Sequence, residues 1–156
     1  MINSAINRIE LIEGIALITV NGLDDDVRKL AHIFRAIANH GVGVDMITFT
    51  PNLKNVMNLT FAVPAESLGI AVSAVGGLKR EIPHMMYSIS SDNTVVILTG
   101  TAVCEDENLV ADVMETISQI GTGVKMVSSS VNEIYFVIDG HFTDEAVACL
   151  KRRYSL

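Results

Sequence analysis

The chain has 156 residues, enough for one ordinary domain or two small ones. Its formal charge is −7 and aromatic residues make up 5%, which excludes phosphate-driven nucleic-acid binding and the stacked aromatics of an RNA-recognition sheet. Apolar residues reach 49% against 19% charged, a surplus of apolar surface that predicts an interface between chains.

Residues 15–20, Ile-Ala-Leu-Ile-Thr-Val, read as a buried strand. Asp24, Asp25 and Asp26 then supply cap oxygens and negative charge to a helix start. Val27, Leu30, Ala31, Phe34, Ile37 and Ala38 recur at three- and four-residue steps, and Gly41 ends that helix. A strand over 44–50, a turn cluster over 51–55 and an alternating strand follow. The last puts Met57, Leu59, Phe61 and Val63 on one face. Pro64 opens a second helix carrying Leu68, Ala71, Val72 and Val75, closed by Gly76 and Gly77, and residues 85–90 form a fourth strand.

The pattern then returns. His40-Gly41-Val42-Gly43-Val44-Asp45-Met46-Ile47 is echoed 80 residues later by Ile120-Gly121-Thr122-Gly123-Val124-Lys125-Met126-Val127. Ile37 falls on Ile117, Ile33 on Val113 and Leu30 on Val110. Strands at 94–99, 124–130 and 133–138 and a last helix capped by Thr143 complete the copy except for its fourth strand. The expected fold is therefore α+β, two βαββαβ units with antiparallel sheets and helices on one face. Residues 2–10 belong to neither copy, with Ile2, Ile6 and Ile9 apolar. They are expected to complete the second sheet, inserting a first domain (15–91) into a second (1–12 with 92–156).

Catalytic and metal motifs are missing. The four histidines have no ligand spacing, and no phosphate-binding loop or nucleophile elbow occurs. The acidic runs at 24–26 and 105–107 occupy equivalent helix starts and read as capping charge, so no catalytic residue is assigned. No apolar run is long enough to span a membrane, and the start is unlike a signal peptide. Two distant cysteines predict reduced thiols and a cytoplasmic setting.

Ile33-Phe34-Arg35-Ala36-Ile37-Ala38 with residues 41–47, Met126-Val127-Ser128-Ser129-Ser130 with Glu133-Ile134, and the terminal run 144–150 resemble the regulatory region of aspartate kinase. That region carries two ferredoxin-like ACT domains in tandem, the first inserted in the second. The resemblance covers essentially the whole chain and lacks the kinase domain that would precede it. It implies a regulatory fragment or separate regulatory chain, not an enzyme by itself, that takes part in feedback control of aspartate-family amino-acid synthesis. It implies binding of an amino-acid effector, lysine or threonine, between the first domains of a homodimer. It also implies partnership with a kinase domain or catalytic chain, which would hold the ATP and Mg; no cofactor is expected in this chain.

The positions that match the effector site are Asp25, Arg28, Gly43, Val44, Asp45, Met46, Ile47 and Phe49, with Val124, Lys125, Met126, Ser128 and Ser129 equivalent in the second copy. Asp45 reads either as an acceptor for an effector ammonium or as a solvated strand-start residue. Arg28 stands where the family carries Pro-Gly, and reads either as an exposed helical arginine or as a grip on a carboxylate. Phe49 replaces a common glutamine and Lys125 a common acid. These departures favour a second reading, an ACT-type assembly module that has lost its ligand and only holds subunits together.

Overall fold

A computed structural model describes residues 6–51, 56–101 and 103–156. The chain divides into two compact units, residues 15–91 and residues 1–14 with 92–156.

In the unit 15–91 the strands are β1 (Ile6–Asp24, from residue 15), β2 (Asp45–Pro51), β3 (Val56–Pro64) and the start of β4 (Met86–Gly100), in the order β2-β3-β1-β4. β1 pairs antiparallel with β3, Ile15 opposite Pro64 and Asp24 opposite Val56, and β2 pairs antiparallel with β3 on its other side. Helices α1 (Val27–Ala38) and α2 (Leu68–Gly77) cover one face. Met57, Leu59, Phe61 and Val63 alternate into a core shared with Ile18, Val20, Leu30, Ile33, Ile37, Ala71 and Val75. Phe34 meets Phe61 edge-on, centroids 5.7 Å apart.

The second unit repeats the plan. Its strands are the early part of β1, the later part of β4, β6 (Glu133–Asp139) and β5 (Met126–Ser129), in that order, beneath α3 (Leu109–Ser118) and α4 (Thr143–Tyr154). Its core joins Val96, Leu98, Val113, Ile117, Ile134, Phe136, Ile138, Ala146 and Leu150, and Ile6 lies in it fully buried. Each unit is thus an α+β sheet under two helices, the class expected from the residues. Ile2 and residues 52–55 of the expected turn lie outside the described residues.

Several local expectations are corrected. The strand expected at 15–20 is part of a 19-residue strand, and those expected at 85–90 and 94–99 are one strand, β4. On α1 the buried stripe is Leu30, Ile33 and Ile37. Val27 is 71% exposed and Ala31 and Ala38 also face out, because a 3.6-residue period fixes a stripe's spacing better than its centre. On α3 Leu109 is buried and Val110 exposed, so Leu30 has its functional match one residue earlier than the repeat register implied. α2 ends at Gly77 as expected, and the chain then tightens into a 3₁₀ turn at Leu78–Arg80 instead of leaving the helix axis at once. Thr143 is the first helical residue of α4; its hydroxyl bonds Gly140 O (2.8 Å) and the Thr94 hydroxyl (2.8 Å) instead of capping.

Gly22 lies where β1 shifts register against β3, between Val20 and Leu23. It has φ +79°, and a Cβ there would fall 2.3 Å from His84 O. Gly22→Ala is therefore expected to lower stability by more than about 1 kcal/mol. Gly69→Ala, in open space near the start of α2, should be neutral or stabilising by up to about 1 kcal/mol. Urea midpoints of the two variants decide the contrast.

Candidate functional site

The first group of candidate residues follows β1. Asp26 caps α1 from extended backbone (φ −137°), its Oδ1 accepting from Arg28 N at 2.9 Å. The Arg28 side chain folds back on the same carboxylate, with Nε to Oδ1 and Nη2 to Oδ2 both at 3.1 Å. This fork, with the Arg28 backbone N–H, holds the Asp26 carboxyl below the ordinary aspartate value and raises the guanidinium pKa. Lys29 pairs with Asp24. Asp25 is exposed and is the one aspartate of the three whose carboxylate has no partner among the described residues.

The second group opens β2. Gly43 is exposed with open space around it, and Val44 is half-buried against the core. Asp45 is exposed and accepts from Met46 N at 2.7 Å through Oδ1, leaving Oδ2 without a partner among the described residues. Met46 takes φ +47°, a left-handed conformation uncommon for its side chain. It lies in an irregularity of the ladder: Asp45 faces Ala62 but Thr48 faces Thr60. Beyond it Ile47 is 49% and Phe49 54% exposed on an edge strand.

These groups do not meet within one chain. The β1 end leading to Asp25 lies opposite Val56, whereas Asp45 lies opposite Ala62. Six residues of β3 separate those levels, about 20 Å at the usual rise.

In the second unit Val124 packs half-buried against the core, Met126 is half-buried, and Ser128 and Ser129 are exposed. Lys125 differs from its counterpart Asp45 in having side-chain partners. Its ammonium donates to Oδ1 of buried Asn93 and stands 3.9 Å from Asp139 Oδ2, while its backbone N–H bonds Val137 O at 2.8 Å. Asn93 Oδ1 and Asp139 Oδ2 are thus engaged by the chain's own lysine. Sequence reasoning missed this set because Asn93 and Asp139 lie 32 and 14 residues away from Lys125 along the chain and meet only through β4–β6 pairing. The Asp26–Arg28 fork had a readable signal, an acid two residues before an arginine at a helix start. Among the described residues no three His, Cys, Asp or Glu side chains gather as a metal site, and no helix is long and apolar enough to cross a membrane.

No protein-family model matches the chain. It is 27% identical over 139 residues to an aspartokinase of Geobacillus stearothermophilus, a match covering 89% of this chain and 33% of that one. The chain thus spans about one third of the length of the curated relatives it matches. In structure it superposes on the ligand-free regulatory subunit of aspartate kinase from Thermus thermophilus with a TM-score of 0.87 and 21% identity, covering 96% of this chain and 99% of that one. The chain resembles the regulatory region of aspartate kinase and has its fold. A second solved structure, E. coli aspartokinase III in complex with lysine and aspartate in the T-state, aligns with TM-score 0.73 and 19% identity over 99% of this chain and 34% of that one. Both units therefore carry the ACT-type ferredoxin-like fold of aspartokinase regulatory domains.

Two predictions follow from this geometry. Asp26→Ala should lower the melting temperature at neutral pH. Because the native pKa is depressed, the difference from the parent chain is full above the unfolded aspartate pKa and disappears as pH falls through the lower native value, readable as melting temperature against pH. Lys125→Met removes a charge-assisted bond to a buried amide and should cost roughly 1–3 kcal/mol in chemical denaturation.

Proposed function

We propose that this chain is the effector-responsive regulatory part of an aspartate kinase, without catalytic activity of its own. In this reading residues 15–91 are the first ACT domain, inserted into the second, which is formed by 1–12 and 92–156. It acts in the cytoplasm with a kinase domain or catalytic chain, which holds the ATP and Mg, and imposes lysine or threonine feedback. The observation that carries the reading is the nearly complete mutual coverage with a chain that is itself a regulatory subunit.

The effector would lie between the first domains of two chains. Asp25 and Asp45 stand about 20 Å apart at opposite ends of one sheet, too far to hold one amino acid together. A two-fold axis across the strands sets the Asp25 end of one chain beside the Asp45 end of the other. Exposed Ile47 and Phe49 on edge strand β2 offer apolar surface for such a pairing. Asp45 Oδ2 would take the effector ammonium, and backbone at Val44, Met46 and Ile47 would wall it.

A ligand-free assembly module is the second reading, favoured by three features. Arg28 is folded onto Asp26, Phe49 offers a ring where a polar contact is needed, and Lys125 already occupies the second copy's acceptors.

Calorimetric titration of the folded chain with lysine and threonine, alongside sedimentation equilibrium, separates the two. Saturable binding of one amino acid to a dimer, weakened roughly tenfold or more by Asp45→Ala, is expected. A stable dimer that binds neither amino acid overturns the effector reading and leaves the assembly module.

A further inference from the structure

Away from the sheet edges, α3 and α4 leave a valley of about 520 Å³ between them, within the range of small-ligand sites. One wall is a single stripe of α3 extended by its C-cap, Asp112, Glu115, Thr116 and Gln119; the other is Cys149, Arg152 and Arg153 of α4. The residue spacing of three and four on both helices shows that two helix faces are turned toward one space.

The charges in this valley are not all used. Arg153 closes one end by pairing with Asp112 at 2.5 Å. Thr116 is satisfied by Asp112 O at 2.7 Å. The Arg152 guanidinium lies along its own helix, Nε donating to Ala148 O at 3.3 Å and Nη2 to Cys149 Sγ at 3.2 Å, and its Nη1 has no partner among the described residues. Glu115 carries a carboxylate with no partner among the described residues. One cation on α4 and one unpaired anion on α3 therefore remain in a space that is otherwise neutral.

A further polar group sits close by. The Tyr154 hydroxyl is buried and has no hydrogen-bond partner among the described residues. The charges of Asp112 and Arg153 act on it, and burial, the largest effect, pushes its pKa up to about 12. Tyr154 does not line the valley, so it bears on it only through the charges of Asp112 and Arg153.

We propose that the valley between α3 and α4 is a second ligand site on this chain, taking a small zwitterion of the amino-acid type, its carboxylate on Arg152 and its ammonium on Glu115. A zwitterion can pair with both of these opposite charges at once, whereas a simple anion or a simple cation can pair with only one of them. The site lies on the helical layer of the second unit and does not depend on the effector reading given above.

Cys149 lines the valley and reports its occupancy, while exposed Cys104 serves as a control in the same molecule. The full chain is treated with iodoacetamide in the presence of the free L-amino acids, one at a time, and alkylation of each cysteine is followed by peptide mass spectrometry. At least one amino acid is expected to slow Cys149 alkylation, roughly tenfold at ten times its dissociation constant, and to leave Cys104 unchanged. Arg152→Ala and Glu115→Gln should each abolish the protection, and Asp45→Ala should preserve it. Loss of protection in Asp45→Ala would assign the effect to the other unit and overturn the proposal. So would equal protection of both cysteines, or none from any amino acid in a chain shown by circular dichroism to be folded.

Discussion

Burial of one sheet face beneath two helices, done twice, is the constraint on which the rest depends. Phe61 and Phe136 sit fully buried on an inner strand of each unit, and the alternating residues of β3 and β6 must point the same way to reach their helices. That requirement commits β2 and β5 to the outside positions of their sheets. Neither of these strands has a fully buried residue, so their side chains are free to face something other than the core. Sequence that cannot contribute to packing is thereby made available for recognition.

The two units use that freedom differently. In one, the charges after β1 are largely turned on each other, Arg28 on Asp26 and Lys29 on Asp24, while Asp45 keeps one carboxylate oxygen without a partner among the described residues. In the other, the residue equivalent to Asp45 is a lysine already held by Asn93 and Asp139. A duplicated fold carries two unlike surfaces on one kind of scaffold, because Arg28, Asp45 and Lys125 all lie outside both cores.

Much of the scaffold was legible because it rests on short-range periodicity. The alternation of Met57, Leu59, Phe61 and Val63 and the recurrence of a glycine turn at Gly41 and Gly121, both near φ +75°, survive unchanged in the structure. Helix faces were less certain: Leu109 and Val110 are both apolar, and spacing alone does not say which turns inward. Strand length was underestimated, since β1 and β4 run through Gly14 and Asp92, left-handed residues that look like interruptions in a linear reading. The site was the least legible part. Individual positions were recognisable from the repeat, but the distance between Asp25 and Asp45 follows from β-ladder register, and the partners of Lys125 come from strands far along the chain.

The irregularity at Met46 has a consequence for the history of this strand. From Asp45 to Thr48 the chain takes three steps while its partner takes two, so one residue is surplus to the ladder. A related chain shorter by one at this point would keep the same sheet and the same pairings on either side. Alignment gaps there would be structurally silent, and length, rather than residue identity, is the variable with which evolution can re-aim Asp45.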